Sequence, residues 1–425
     1  MESINKKWLG FILPSNIAAE GLHTVIPLFV IYLGGGISEV SVMIAIHYGA
    51  AALGSIFWGK ILDKYHAKKV VLLVSFSMIL FCCLWLYNTK SIAPVYIVSP
   101  LSGFFLTARG PVTQMLVMET SPHNQWSKIF ARTSVLSTLG SLAAMVIGVI
   151  WSFYFDIRQY FVICAMATVL SIVISSQISK THFHIERSTL VQSVHGVQHI
   201  FSHFRMHHHL FFLKVPDLYD YRHIITLLKG KVSHEIGFLF LTNFLFYFGS
   251  NVYFTALTPF LKSYGLSDST VFSLYLIQTG SMAGLFFLAP KIIARLGEDL
   301  STMISYVPRI TGVMVAGSVA TFLMGHDLVA SAIISMCLMV VGFSIYSTSN
   351  SVLLFKAIPK GFEGTYLGVN SSMVGMGVFG GALTAGFVTK AFNYPSTFLI
   401  SSLVLFGSAV LFKLYLYHKI SGKIL

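Results

Sequence analysis

Twelve stretches of about twenty mostly apolar residues, separated by short polar clusters, occupy most of this 425-residue sequence. They lie at 8–34, 40–62, 69–88, 92–118, 128–155, 158–178, 235–261, 269–294, 302–325, 328–355, 364–389 and 394–417. A hydrocarbon layer about 30 Å thick is crossed by about 20 apolar residues in a helix, and the backbone inside it must satisfy its own hydrogen bonds. The pattern predicts an all-α membrane protein with twelve transmembrane helices. Composition supports this: 10% of residues are Asp, Glu, Lys or Arg and the mean hydropathy is +0.76, whereas a water-soluble domain carries roughly 25% charged residues. The first run follows Lys6 and Lys7 and is long for a cleaved leader, so it is expected to stay as helix 1. Cys82, Cys83, Cys164 and Cys337 sit inside apolar runs without ligand spacing, which argues against a disulfide framework or thiolate metal site.

Assigning loops to alternate sides places 22 of the 28 Lys and Arg residues with the two termini and the middle segment; four, Lys90, Arg158, Lys262 and Lys390, fall opposite. The positive-inside rule then puts both termini in the cytoplasm of a multi-pass cell-membrane protein. The net charge of +13 follows from orientation toward anionic membrane lipid, and no nucleic-acid partner is needed.

The one long polar interval, residues 179–234, separates six spans in 1–178 from six in 235–425. Gly10-Phe11-Ile12-Leu13-Pro14-Ser15-Asn16 in helix 1 is echoed by Gly237-Phe238-Leu239-Phe240-Leu241-Thr242-Asn243 in helix 7. Pro27 with Tyr32 is echoed by Pro259 with Tyr264, with five extra residues between landmarks in the second half. Matching halves of this kind build rocking membrane carriers.

Between helices 2 and 3, Gly59-Lys60-Ile61-Leu62-Asp63-Lys64-Tyr65-His66-Ala67-Lys68-Lys69 resembles the cytoplasmic signature of the major facilitator superfamily, with His66 and Ala67 where that family usually has Gly and Arg. Ala294-Arg295-Leu296-Gly297 resembles the tail of the same motif in the second half. The resemblance implies two six-helix bundles, helices 1, 4, 7 and 10 around a central cavity, and a secondary transporter with no cofactor and no enzymatic activity. It also implies a latch in which Asp63 faces the start of helix 11, Gly59 admits that helix closely, and Glu119 pairs with Lys68 or Lys69.

Charge inside a bilayer costs on the order of 2.5–3.5 kcal/mol on insertion scales, so it usually marks a site. Asn16, Glu20 and His23 share a face of helix 1 at i, i+4 and i+7; Ser102, Arg109 and Thr113 share one on helix 4, and His47 is a further titratable group. Glu20 and Arg109 are expected to meet. A conformational change that separated them would strand the carboxylate and favour its protonation, which makes Glu20, Arg109 and His23 candidates for proton coupling. The alternative is a permanent ion pair that fixes packing. Arg309 is expected to snorkel to the cytoplasmic surface. Candidate solute contacts are Asn16, Thr113, Asn243, Tyr247, Asn251, Gln278, Tyr346 and Asn350. A single acid among aromatic and amide groups suits an amphipathic or cationic small molecule, and efflux of a drug or metabolite coupled to protons is the favoured reading. Against it, Ala144-Met145 stands where antiporters of the resembling family carry Gly-Pro. Small residues at four-residue spacing, Gly140, Ala144 and Gly148 on helix 5 and Gly377, Gly381 and Ala385 on helix 11, predict close helix contacts.

The middle segment carries His195, His199, His203 and His207 one turn apart on an amphipathic, basic pattern. Such a segment suits the cytoplasmic leaflet, and the imidazoles could chelate Zn, Ni or Cu. This supports a second reading, a metal-ion exporter with a His-rich sensor loop. A third is a non-transporting membrane sensor on the same fold.

Overall fold

The structure, a computed structural model, describes residues 6–65, 67–120, 126–178, 234–322, 327–358 and 363–420. The histidine-rich segment expected to carry His195, His199, His203 and His207 lies outside them. After a 3-10 turn at Lys6–Phe11, the helices are α1 (Ile12–Tyr32), α2 (Ile37–Tyr65), α3 (Lys68–Asn88), α4 (Ala93–Leu106), α5 (Arg109–Thr120), α6 (Trp126–Tyr154) and α7 (Tyr160–Ser176). There follow α8 (His234–Ser263), α9 (Asp268–Leu296), α10 (Glu298–Phe322), α11 (Asp327–Ala357), α12 (Glu363–Ala391) and α13 (Tyr394–Ile420).

Ten helices among the described residues are long and apolar enough to cross a membrane. The two expected spans outside that set are the first and the fourth. Helix α1 has 21 residues, and Asn16, Glu20 and His23 dilute its apolar content. The fourth, expected to run unbroken over 92–118, is split at Thr107–Ala108. Pro111 has no N–H to give the carbonyl of Thr107, and its ring crowds that carbonyl. Thr107 O instead accepts from Gly110 N at 3.2 Å, and Ala108 N turns back to Phe105 O at 3.2 Å. Both are three-residue spacings, so the chain tightens there before α5 begins.

Within the first half α1 packs on α6 and α7, α2 on α4, and α3 on α7; within the second α8 packs on α12 and α13, α9 on α11, and α10 on α13. The pairings match helix for helix. The echo is local as well. Helices α1 and α8 both end in a Schellman turn. Gly34 (φ 88°) and Gly265 (φ 78°) take the left-handed conformation, and Gly35 N and Leu266 N reach back five residues to Val30 O and Leu261 O. The longer interval between landmarks in the second half is taken up by α8, 30 residues against 21 in α1.

The expected close contacts of small residues are present. A Cβ on Gly140 would lie 2.5 Å from Leu13 O of α1, and one on Gly377 2.7 Å from Phe244 O of α8, so these glycines let backbone meet backbone. The halves join through α2 with α12 and through α6 with α9. Both seams are tight toward the end carrying the turns at Gly34 and Gly265, here called the far end. Gly386 leaves no room for a side chain beside Ser41, and the ring of Phe272 occupies the space beside Gly148 and leans on Tyr160, centroids 5.3 Å apart. Farther along α9 the seam loosens: the nearest atom to a Cβ on Gly280 would be Leu142 Cδ2 at 3.9 Å, and Gly284 has nothing within 4 Å.

Candidate functional site

A cavity of about 280 Å³ lies between the halves. Glu20 and His23 line it from α1, His47 and Tyr48 from α2, and Met145 from α6. Opposite stand Tyr247, Asn251 and Phe254 of α8, Tyr275 and Gln278 of α9, Arg309 of α10 and Phe343 of α11. The polar face of α1 is set by helical spacing, and the Gly140 contact holds α1 against α6, which fixes where that face points.

Glu20 does not pair with Arg109 as expected. Among the described residues no ion pair joins them. Arg109 Nη1 donates to Asn16 Oδ1 at 2.8 Å and to Ser15 O at 3.3 Å, because the break before α5 and the i, i+4 geometry of α1 bring Asn16 to the guanidinium and turn Glu20 onto the cavity. Asn16 Oδ1 also accepts from Ser137 Oγ of α6 at 2.8 Å. Thr113 donates to Arg109 O at 2.7 Å. Asn16, Arg109 and Thr113 thus sit in a helix junction beside the cavity.

The second half has a matching junction. Asn243 Nδ2 donates to Asn370 Oδ1 of α12 at 2.6 Å, and Tyr346 of α11 donates to Asn243 Oδ1 at 3.3 Å. Tyr346 is stacked on Phe246 with centroids 3.6 Å apart. Asn350 is buried with Oδ1 unbonded. Of the proposed solute contacts, Tyr247, Asn251 and Gln278 face the cavity, whereas Asn16, Thr113, Asn243, Tyr346 and Asn350 do not line it.

Arg309 does not snorkel. It is 3% exposed and turned inward. Nε donates to Ser250 Oγ at 3.0 Å, Nη1 donates to Met339 O, and Cζ lies 5.0, 5.4 and 5.6 Å from the ring centres of Phe246, Phe254 and Phe343. A desolvated cation over an aromatic face gains about 2 kcal/mol, and three such rings outweigh a stretched route to the surface. The cavity therefore carries a buried cation as well as its one acid, Glu20. Tyr48 and Arg309 went unrecognised as lining groups: Arg309 reads as a residue near a helix end, and only Phe246 and Phe254, eight residues apart on α8 with Ser250 midway between them, signal a cage. His23 Nε2 and the Tyr48 hydroxyl share a hydrogen bond of 2.6 Å. His47 Nδ1 bonds Ser99 O at 2.9 Å.

At the expected latch, a Cβ on Gly59 would meet nothing within 4 Å among the described residues, and the side chains at the start of its expected partner helix lie outside them. Its predicted partner helix is nevertheless the one that packs along α2, namely α12. The side chains of Asp63 and Glu119 lie outside the described residues, while Lys68 is buried at the start of α3 and Lys69 is half-buried. No group of three or more His, Cys, Asp or Glu side chains among the described residues is placed to hold a metal ion.

A family model described as Major Facilitator Superfamily matches residues 3–379 and 239–423. No curated protein matches the sequence. Among solved structures, the nucleoside transporter NupG is similar with a TM-score of 0.73 at 14% identity, over 96% of this chain and 98% of that one. A POT family transporter in complex with 5-aminolevulinic acid gives 0.72 at 15% identity, over 98% and 96%. A D-xylose-proton symporter gives 0.70 at 14% identity, over 96% and 95%.

Proposed function

Because this chain belongs to the major facilitator superfamily, we propose that it is a secondary transporter and not an enzyme, moving a small organic solute across the cell membrane by alternating access. Its twelve spans form two six-helix bundles, 1–178 and 235–425, joined by a cytoplasmic linker, with both termini cytoplasmic. The observation that carries this reading is the cavity itself, lined from both halves and walled by one carboxylate, two histidines and a buried guanidinium. Tight seams at the far end and looser packing along α9 support reading this conformer as shut toward the outside.

Protons are the coupling ion in this proposal, and Glu20 is their carrier. The titratable and charged groups around it are His23 on its own helix, His47 and Tyr48 of α2, Arg109 of α5, Tyr247 of α8, Tyr275 of α9 and Arg309 of α10. A carboxylate lining a cavity without a bonded partner can exchange its proton with whichever side the cavity faces. One site shared by proton and solute gives exchange of one for the other, hence efflux driven by an inward proton gradient.

The test is solute counterflow in proteoliposomes holding the full chain, with nucleosides, pentoses, amino acids and drugs as probes, with and without an imposed pH gradient. In Glu20→Gln the counterflow that remains should no longer respond to the gradient. Equal gradient response in the variant would remove the carrier role, and binding without counterflow would favour a non-transporting sensor.

A further inference from the structure

The cavity holds two side chains of opposite charge, one from each half, and among the described residues neither is held in an ion pair, although Arg109 lies within Coulombic reach of Glu20. Glu20 makes no hydrogen bond or ion pair among the described residues. Arg309 directs Nε and Nη1 to uncharged oxygens of Ser250 and Met339, and among the described residues no carboxylate forms an ion pair with it. Its charge is cushioned by three phenyl rings and left uncompensated. Two further polar atoms on the same walls, Thr255 Oγ1 and Gln278 Oε1, are buried without a hydrogen-bond partner, and Thr255 is only 1% exposed. Buried polar groups are ordinarily satisfied, and an isolated buried charge is costly, so two unbonded polar atoms and two charges outside any ion pair around one cavity describe the complement of a ligand.

Four ligand chemistries can be compared. A neutral sugar or nucleoside would leave both charges unmet. A monoanion would meet Arg309 and leave Glu20 exposed to like charge; a monocation would meet Glu20 and face the guanidinium. Only a molecule bearing both an anionic and a cationic group meets both walls. Met43, Met145, Phe254, Met282 and Phe343 supply the apolar remainder of the lining. Resting on the transporter reading above, we infer that the solute is an amino-acid-sized zwitterion with an apolar side chain, its carboxylate on Arg309 and its ammonium group at Glu20. Such a molecule joins the two halves across the cavity, and its ammonium group competes with a proton for Glu20.

The experiment compares phenylalanine, 3-phenylpropionate, 2-phenylethylamine and uncharged N-acetylphenylalanine amide, by calorimetry on the detergent-purified full chain. Phenylalanine should bind at least about tenfold more tightly than each of the others, the scale expected when one of two buried charges loses its partner. Glu20→Gln should raise the preference for 3-phenylpropionate over phenylalanine by about tenfold as well, a gain that a misfolded variant cannot produce. Equal binding of a singly charged or neutral analogue, an unchanged preference in Glu20→Gln, or no binding by any of the four would overturn the assignment. Counterflow separates the two levels. Exchange of uridine or xylose but not of amino acids would refute the zwitterion and keep the transporter. Phenylalanine that binds and never exchanges would refute the transporter and keep the site.

Discussion

Asn16 and Asn243 occupy the same station in the two halves: each sits in the first helix of its half and bonds one residue from the fourth helix and one from the fifth. For Asn16 these are Arg109 and Ser137; for Asn243 they are Tyr346 and Asn370. The partners differ in chemistry, and the charged version lies in the first half alone. The two junctions flank the cavity and hold the helices that line it.

Replacing Asn16 should therefore act on stability before it acts on solute. Asn16→Ala strips an acceptor from Arg109 and from Ser137, and leaving buried donors unmet costs about 1–3 kcal/mol. Asn16→Asp keeps both of these acceptor bonds and adds opposite charge beside Arg109, which offsets the loss of the bond from Asn16 Nδ2 to Ile12 O. Thermal unfolding in detergent should show a clear drop for the alanine variant and little change or a rise for aspartate; the reverse order would contradict the junction role.

Glycines that read alike in the sequence should respond differently. A Cβ on Gly140 would meet Leu13 O at 2.5 Å, whereas one on Gly59 would meet nothing within 4 Å. Overpacking costs about 1–3 kcal/mol, while alanine in place of an unconstrained helical glycine is favourable by roughly 0.5–1 kcal/mol. Gly140→Ala should lower the melting temperature and Gly59→Ala should not. Equal losses would mean that α1 and α6 do not meet as described.

Phe272 reports the closed far end, since its ring is fully buried against Gly148 and Tyr160. In a background lacking the native cysteines, Phe272→Cys should resist a membrane-impermeant thiol reagent while the cavity faces the terminal end, and react when the far end opens. Steady reactivity under all conditions would show that the ring seals nothing.

Ten of the expected spans, the matching helix pairings of the two halves and the small-residue contacts were legible because they depend on periodicity and composition, which the chain states locally. The role of Glu20 in facing the cavity was legible for the same reason, since helical spacing alone puts it beside His23. The partner of Arg109 was not, because Asn16 and Glu20 share one face of α1 and only the break that Pro111 imposes on the fourth span decides which of them the guanidinium reaches. The inward turn of Arg309 was hidden for a related reason: its cage is assembled from α8 and α11, far apart in sequence, and its place near a helix start suggests solvent.

Alternating access is tested most directly by measuring both ends of the molecule together. Spin labels at Tyr154 and Tyr264 would report the far end, and labels at Lys69 and Arg295 the terminal end, each pair on the full chain in lipid nanodiscs across a range of pH. The account predicts reciprocal change, with the far-end distance lengthening as the terminal-end distance shortens. Two distances that stay fixed, or that lengthen together, would contradict it.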